Sequence, residues 1–186
     1  KVMEDMVERG YFCAVLDLCT NELTDHVLGG YHDAGPNRLE AAGRLGIPQV
    51  VSVGCVDFFV QGPRSTIPEK WSTRMMYYHN PWFTLVRPTP QEMADIGKLL
   101  AEKLNRARGP VRVVVPLRGM SYSGLPGGST HDPQGDNALF RAIREHLRGD
   151  IPLIEVDAHV NEEVFAEKMI EAFSEIIRQP KPKSKD

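Results

Sequence analysis

The sequence predicts an α/β fold, a three-layer sandwich in which a mostly parallel sheet carries helices on both faces. Apolar, β-branched runs alternate with runs of helical period along the 186 residues, the pattern of a parallel sheet covered by helices. A hydrophobic content of 41% is enough for one ordinary core, so residues 1–178 are expected to form one α/β unit, with residues 58–88 inserted and a disordered Pro- and Lys-rich tail over 179–186. Four strand-like runs also end in glycine or polar clusters, as strands do where an open sheet binds ligands at its carboxyl edge.

The elements follow in order. Val2, Met3, Met6 and Val7 open a helix over about residues 1–9. The chain begins at Lys1 already in this helical pattern and without Met, as a fragment would. After Gly10 the run Phe12 to Leu18 reads as a strand. Thr20 or Asn21 caps a helix to about Leu28, which Gly29-Gly30 stops. A short helix from Asn37 to Leu45 leads through Gly46 to a strand at Gln49 to Val53. Between Asp57 and Arg87 the pattern is irregular, with five aromatics from Trp71 to Phe83 and only a short strand near Met75 to Tyr78.

Thr89-Pro90-Gln91-Glu92 is the clearest local signal. It offers an N-cap Thr, Pro at the first helical position and Glu at the third to complete a capping box. Met93, Ile96, Leu99, Leu100 and Leu104 then give that helix one apolar face. A buried strand at 111–117, a helix from about Asn137 to Leu147, a strand at Leu153 to Val156 and a last helix from Glu162 to Arg178 complete the series.

Composition narrows the function. Twenty-two basic against twenty-five acidic residues leave a net charge of −3 and no basic stripe apart from the tail, which argues against nucleic acid as a partner. No apolar run reaches the length of a membrane span. Cys13, Cys19 and Cys55 are an odd set without CxxC spacing, so neither a disulfide framework nor a structural zinc is expected, and a cytoplasmic location fits. GxxxxGK[ST], GxGxxG and GxSxG motifs are absent, and the reaction class stays open.

The candidate chemistry lies at the four strand ends. The first offers Asp17, Thr20, Asn21 and Glu22; the second Ser52, Gly54 and Asp57; the third Arg118, Gly119, Ser121 and Ser123; the fourth Asp157, His159 and Asn161. The third end opens the stretch Arg118 to Asp136, with five Gly, four Ser or Thr, one His and two Asp. A loop of that length is uncommon unless it is functional or disordered. The residues expected to bind a phosphate or other anion are Thr20, Gly54, Arg118, Gly119, Ser121, Gly127 and Gly128, because glycine amides and a guanidinium both suit oxyanions. Glu22, Asp57, His79 and His159 are the acid–base candidates, and Asp157 with His159 the metal candidates. Each also has a plain reading, since Thr20 and Asn161 are ordinary helix caps and Asp157 an ordinary acceptor for loop amides. Trp71, Tyr77, Tyr78, Trp82 and Phe83 read as an interface, within a segment 58–83 expected to contact another chain or subdomain.

Several blocks carry a resemblance: VLDLCTNELTDHVLGG (15–30), AGPNRLEAAGRLGIPQVVSVGCVDFF (34–59), YYHNPWFTLVRPTPQE (77–92), IGKLLAEKLNRARGPVRVVVPLRGMS (96–121) and EVDAHVNEEVFAE (155–167). They resemble the C-terminal half of the tomato-mosaic-virus-resistance-protein-like ATP-binding family, whose plant members restrict tobamovirus RNA replication. The resemblance implies two Rossmann-like subdomains, of which this chain holds most of the second. It implies ATP with Mg²⁺ as ligand, a glycine-rich phosphate turn before Lys1 and a regulated protein partner. Independently of the resemblance, the aromatic segment leads to the expectation of homo-oligomerisation, or of contact with the N-terminal subdomain, through 58–83. Cys19 and Asn21 stand where the family usually has a Thr run, while Thr20 and Glu22 match. The reading from the residues alone keeps an alternative open, an enzyme acting on a small anionic metabolite at the carboxyl edge of the sheet.

Overall fold

A computed structural model describes residues 2–178; the tail expected over 179–186 lies outside the described residues. The elements run α1 (Val2–Glu8), β1 (Val15–Cys19), α2 (Asn21–Leu28), α3 (Ala41–Leu45), β2 (Gln49–Gly54), β3 (Phe59–Gln61), β4 (Met76–Tyr78), β5 (Thr84–Val86), α4 (Pro90–Asn105), β6 (Val111–Pro116), α5 (Pro133–His146), β7 (Leu153–Val156) and α6 (Glu163–Arg178).

Four of the strands form the expected parallel sheet in the order β1-β2-β6-β7. Its two faces are covered differently. Val51, Val53, Val113 and Val115 point to one side and pack with Leu23 of α2, Met93, Ile96 and Leu100 of α4, and Leu139 and Ile143 of α5. Val50, Val114 and Val156 alternate to the other side, as strand geometry requires, and meet Phe165, Met169, Ala172 and Ile176 of α6. The apolar spacing read in α4 and α6 is therefore the spacing of their buried faces. α4 has the capping box that Thr89 and Glu92 promise, with both reciprocal hydrogen bonds made. At Gly97 a Cβ would stand 2.7 Å from the Leu139 carbonyl, so the missing side chain sets how closely α4 and α5 approach.

Two boundaries are corrected. The strand expected from Phe12 begins only at Val15; Tyr11, Phe12 and Cys13 are exposed ahead of it. The glycine-rich loop is also shorter than the sequence suggests, because α5 starts at Pro133 rather than Asn137. Asp132 caps it by accepting from the Gln134 and Gly135 amides, 3.1 Å each, and Pro133 takes the first-turn position that tolerates a missing N–H.

The segment between Asp57 and Arg87 is ordered by a second sheet, antiparallel, of order β3-β5-β4. Its strands are three residues each, too short to show a period of two. Trp71 corrects the interface reading: it is buried within its own chain, edge-on to Phe59 at 5.1 Å. Tyr78, Trp82 and Phe83 remain exposed.

Candidate functional site

The main cleft opens at the carboxyl ends of β1 and β2, beneath the small sheet. Its volume is about 770 Å³, and Cys19, Asn21, Glu22, His32, Cys55 and Phe58 line it together with Tyr31, His79, Asn80 and Phe83. The first turns of α2 build its floor. Asn21 donates from Nδ2 to the carbonyls of Cys55 (2.9 Å) and Phe58 (2.7 Å), and Thr24 donates to that of Val56 (2.8 Å). These bonds satisfy carbonyls of the β2–β3 turn that would otherwise be orphaned on burial.

A buried carboxylate builds the wall. Asp25 Oδ1 accepts from the His32 amide (3.0 Å) and the Val60 amide (3.1 Å), tying the loop after α2 to β3. Only glycine fits at position 30, where a Cβ would lie 1.9 Å from that oxygen. Burial pushes the Asp25 carboxyl up to about 6, although the two amides favour its charged form; Oδ2 has no partner among the described residues.

The candidate residues separate into three groups. Glu22 and His79 stand in the cleft beside Asn21, and Glu22 also accepts from Arg38 Nε at 3.3 Å. Thr20 and Gly54 lie just behind it. The Thr20 hydroxyl is spent on the Ser52 carbonyl, 3.0 Å away, and Gly54 lets β1 and β2 approach, since a Cβ there would be 2.5 Å from the Leu18 carbonyl.

Asp57 and Ser121 form the second group, buried between the two ends of the sheet edge. Ser121 donates to Asp57 at 2.6 Å, and Arg87, 1% exposed, reaches the Asp57 carbonyl at 3.2 Å and Asp136 at 2.6 Å. Burial pushes the Asp57 carboxyl up to about 6 against the pull of Ser121 and Arg87. Ser123 and Thr130 bond to each other at 2.8 Å. The hydroxyls of Ser121, Ser123 and Thr130 are thus consumed in holding the loop, while Ser129 is exposed.

The third group surrounds a smaller basin of about 260 Å³ at the ends of β6 and β7, lined by Arg118, Gly124, His131, Asp136, His159 and Glu162 among others. Arg118 is exposed, with Glu162 at 3.8 Å. It does not converge with Gly119 and Ser121 on one oxyanion position, because Ser121 is turned inward to Asp57 and Gly119 packs against the His159 ring. His159 is buried with both ring nitrogens engaged: Nδ1 accepts from the Asn161 amide (3.2 Å), which leaves Nε2 to donate to the Ser121 carbonyl (3.0 Å). That fully bonded imidazole holds the loop. Asp157 is exposed beside it, and among the described residues no three His, Cys, Asp or Glu side chains converge as a metal site would require. Gly127 and Gly128 lie apart from both depressions, with Tyr77 and Tyr122 on the outer side of the loop.

Sequence reasoning missed both buried arginines. Arg38 holds Asp17 with two bonds, 2.5 and 2.9 Å, and also reaches the Cys19 carbonyl and Glu4. Asp17 is therefore a structural partner in mid-strand. Burial raises its carboxyl even so, outweighing Arg38. Nothing local in the sequence announces either pairing, since the partners are 21 residues apart for Arg38 and Asp17 and 49 for Arg87 and Asp136.

The family profile described as "Uncharacterised protein family (UPF0261) C-terminal domain" matches residues 1–177. A "UPF0261 protein" of Clostridium tetani is 42% identical over 89% of this chain and 41% of its own length. The "UPF0261 protein RA0729" of Rhizobium meliloti is 39% identical over 95% of the chain and 45% of its own length. The "ToMV resistance protein Tm-1(GCR237)" of Solanum lycopersicum is 34% identical over 95% of the chain and 24% of its own length. The chain spans less than half the length of these relatives. The chain belongs to the UPF0261 family and corresponds to its C-terminal domain, as the resemblance to the tomato-mosaic-virus-resistance proteins implied.

Proposed function

We propose that this domain holds the nucleoside end of a nucleotide, ATP by the resemblance, in the cleft over β1 and β2, as one half of a longer protein that regulates or binds a protein partner. The observation that carries this reading is the lining itself: aromatic and polar, with no Lys or Arg among the described residues. Phe58, Phe83, Tyr31 and His79 offer faces and edges for a base, and Glu22 and the Nδ2 of Asn80 offer the hydrogen bonds a ribose needs. The N-terminus of α2 opens onto the cleft, but Glu22 in its first turn opposes the positive end of the helix dipole there. The residues fit a nucleoside and do not fit a triphosphate. The cations and amides for the phosphates, and for Mg²⁺, then belong to the rest of the longer protein.

Calorimetric titration of this chain with adenosine, AMP and ATP with Mg²⁺ tests the reading. Weak affinity that hardly changes with phosphate number is expected, with Phe83→Ala weakening all three ligands alike. ATP binding much more tightly than adenosine would overturn it.

A second reading, an enzyme or binder acting on a small anionic metabolite, is favoured by Arg118 and His131 lining one basin. The His131 Nδ1 is held on the Gly124 carbonyl at 2.8 Å, which leaves Nε2 for a ligand. An Arg118→Ala change that abolishes binding of a small carboxylate or phosphate, with the fold intact, would support this reading. An unchanged affinity would remove it.

A further inference from the structure

We propose that Cys19 and Cys55 form a thiol–disulfide exchange site, in which Cys19 captures a low-molecular-weight disulfide such as glutathione disulfide and Cys55 resolves the adduct into a Cys19–Cys55 disulfide at the cleft. The pair is a consequence of strand register. β1 and β2 are parallel neighbours with Cys19 opposite Gly54, so Cys55 follows immediately beside Cys19, and both line the cleft. The separation of 36 positions in the sequence hides this, and no CxxC spacing marks it.

Cys55 is held firmly. Its φ of 61° is uncommon for a residue with a side chain; its amide donates to the Met120 carbonyl at 2.9 Å, and its own carbonyl accepts from Asn21 at 2.9 Å. Between the two cysteines stands Gly54, where a Cβ would come within 3.2 Å of Cys19 Sγ. Both thiols are free, Cys19 exposed and Cys55 half-buried. That division suits an attacking thiol backed by a resolving one.

The ionisation of the pair agrees with these roles. A side-chain hydrogen bond from Cys55 lowers the Cys19 thiol to about 7, against burial and the charges of Asp17 and Glu22. An attacking thiol works best with its pKa near the ambient pH. Cys55 is raised, first by that same bond to Cys19 and then by burial. Once the Cys19 sulfur is tied in a mixed disulfide, it no longer carries the negative charge that holds the Cys55 proton, so the resolving thiol is released by the first step.

The exchange balances without another reactant. The Cys19 thiolate attacks one sulfur of glutathione disulfide, the S–S bond breaks, and one glutathione thiolate leaves. Cys55 gives its proton to water, its sulfur attacks Cys19 Sγ, and the second glutathione thiolate leaves. Two protein thiols lose two electrons and two protons, and one disulfide becomes two thiols. This chemistry concerns the thiols alone and stands whatever the cleft binds.

The test is a time course of the whole chain in excess glutathione disulfide at neutral pH, quenched in acid and mapped by peptide mass. Cys13, exposed and outside the cleft, is the internal reference. The wild-type chain should yield a Cys19–Cys55 cross-linked peptide several-fold faster than a glutathione adduct on Cys13. Cys55→Ser should stop at glutathionylated Cys19, and Cys19→Ser should leave Cys55 unmodified. A wild-type chain that accumulates glutathione on Cys19 without cross-linking, or that reacts first at Cys13, overturns the proposal. These wild-type outcomes decide it even if a Ser variant fails to fold.

Discussion

Two depressions share the carboxyl edge of the parallel sheet, and they are built by opposite means. At the cleft over β1 and β2, a few polar side chains, chiefly Asn21, Thr24 and Asp25, are spent on pinning backbone, and other side chains are left free to face the opening. At the basin over β6 and β7, the glycine-rich loop brings many more polar groups, yet most are consumed within it: Ser121 on Asp57, Ser123 on Thr130, His159 on the Ser121 carbonyl. Among the side chains expected to bind an anion, Thr20 and Ser121 are buried and Arg118 reaches out, where it faces Glu162. Density of polar residues in a sequence is therefore a poor guide to a site. What counts is how many remain after the backbone has been satisfied.

The largest effect that would break this comparison is expected at Arg87. Its guanidinium, nearly without exposure, is shared among Asp57, Asp132 and Asp136. Arg87→Ala should cost about 3–5 kcal/mol in denaturant unfolding, the scale for stranding buried charges. A loss below about 1 kcal/mol would mean that the loop does not depend on this cluster.

The wall of the cleft carries a pH signature. The Asp25 carboxyl is raised to about 6 from an ordinary value near 3.8. The folded state therefore binds its proton more tightly than the unfolded chain does. The penalty of keeping Asp25 charged is relieved as pH falls through about 6, and the gain is complete below the unfolded value. Stability should rise by on the order of 2 kcal/mol from this group between pH 7 and pH 4. Asp25→Asn should flatten that component of the thermal-melt pH profile, whereas a profile unchanged by the substitution would show that Asp25 is not its source.

Smaller effects sharpen the contrast. Ser121→Ala removes the 2.6 Å bond to a buried carboxylate and should cost about 1–2 kcal/mol; no loss would indicate that the hydroxyl is not needed to hold the loop. Arg118→Ala, at a side chain exposed and loosely paired, should change stability by less than about 0.5 kcal/mol. A large destabilisation at Arg118 would reverse the roles assigned to the loop and to its rim.

The fold was legible where periodicity is long. The capping box at Thr89 and the helical spacing of α4 and α6 gave those elements, and the Val-rich runs gave β2 and β6. The small sheet was not legible, because β3, β4 and β5 are three residues each, and β3 meets β5 only across the irregular segment, Phe59 opposite Val86 and Gln61 opposite Thr84. Glu22 and His79, which line the cleft, were singled out through strand-end position and loop placement. Asp25, His32 and the Cys19–Cys55 pairing were not, because each acquires its meaning from a neighbour far along the chain. The strand-end rule placed Arg118 correctly at the edge but could not show that Ser121 turns inward, since only the buried Arg87–Asp57 pair draws it there.

On the proposed reading, the working depression is the cleft over β1 and β2, where this chain reads the nucleoside. Amide and aromatic chemical shifts followed during an adenosine titration of the isotopically labelled chain test it most directly. Asn21, His32, His79 and Phe83 should shift together along one binding curve, while Arg118, Gly124 and His131 stay in place. Shifts confined to Arg118, Gly124 and His131 would contradict it and move the site to the basin.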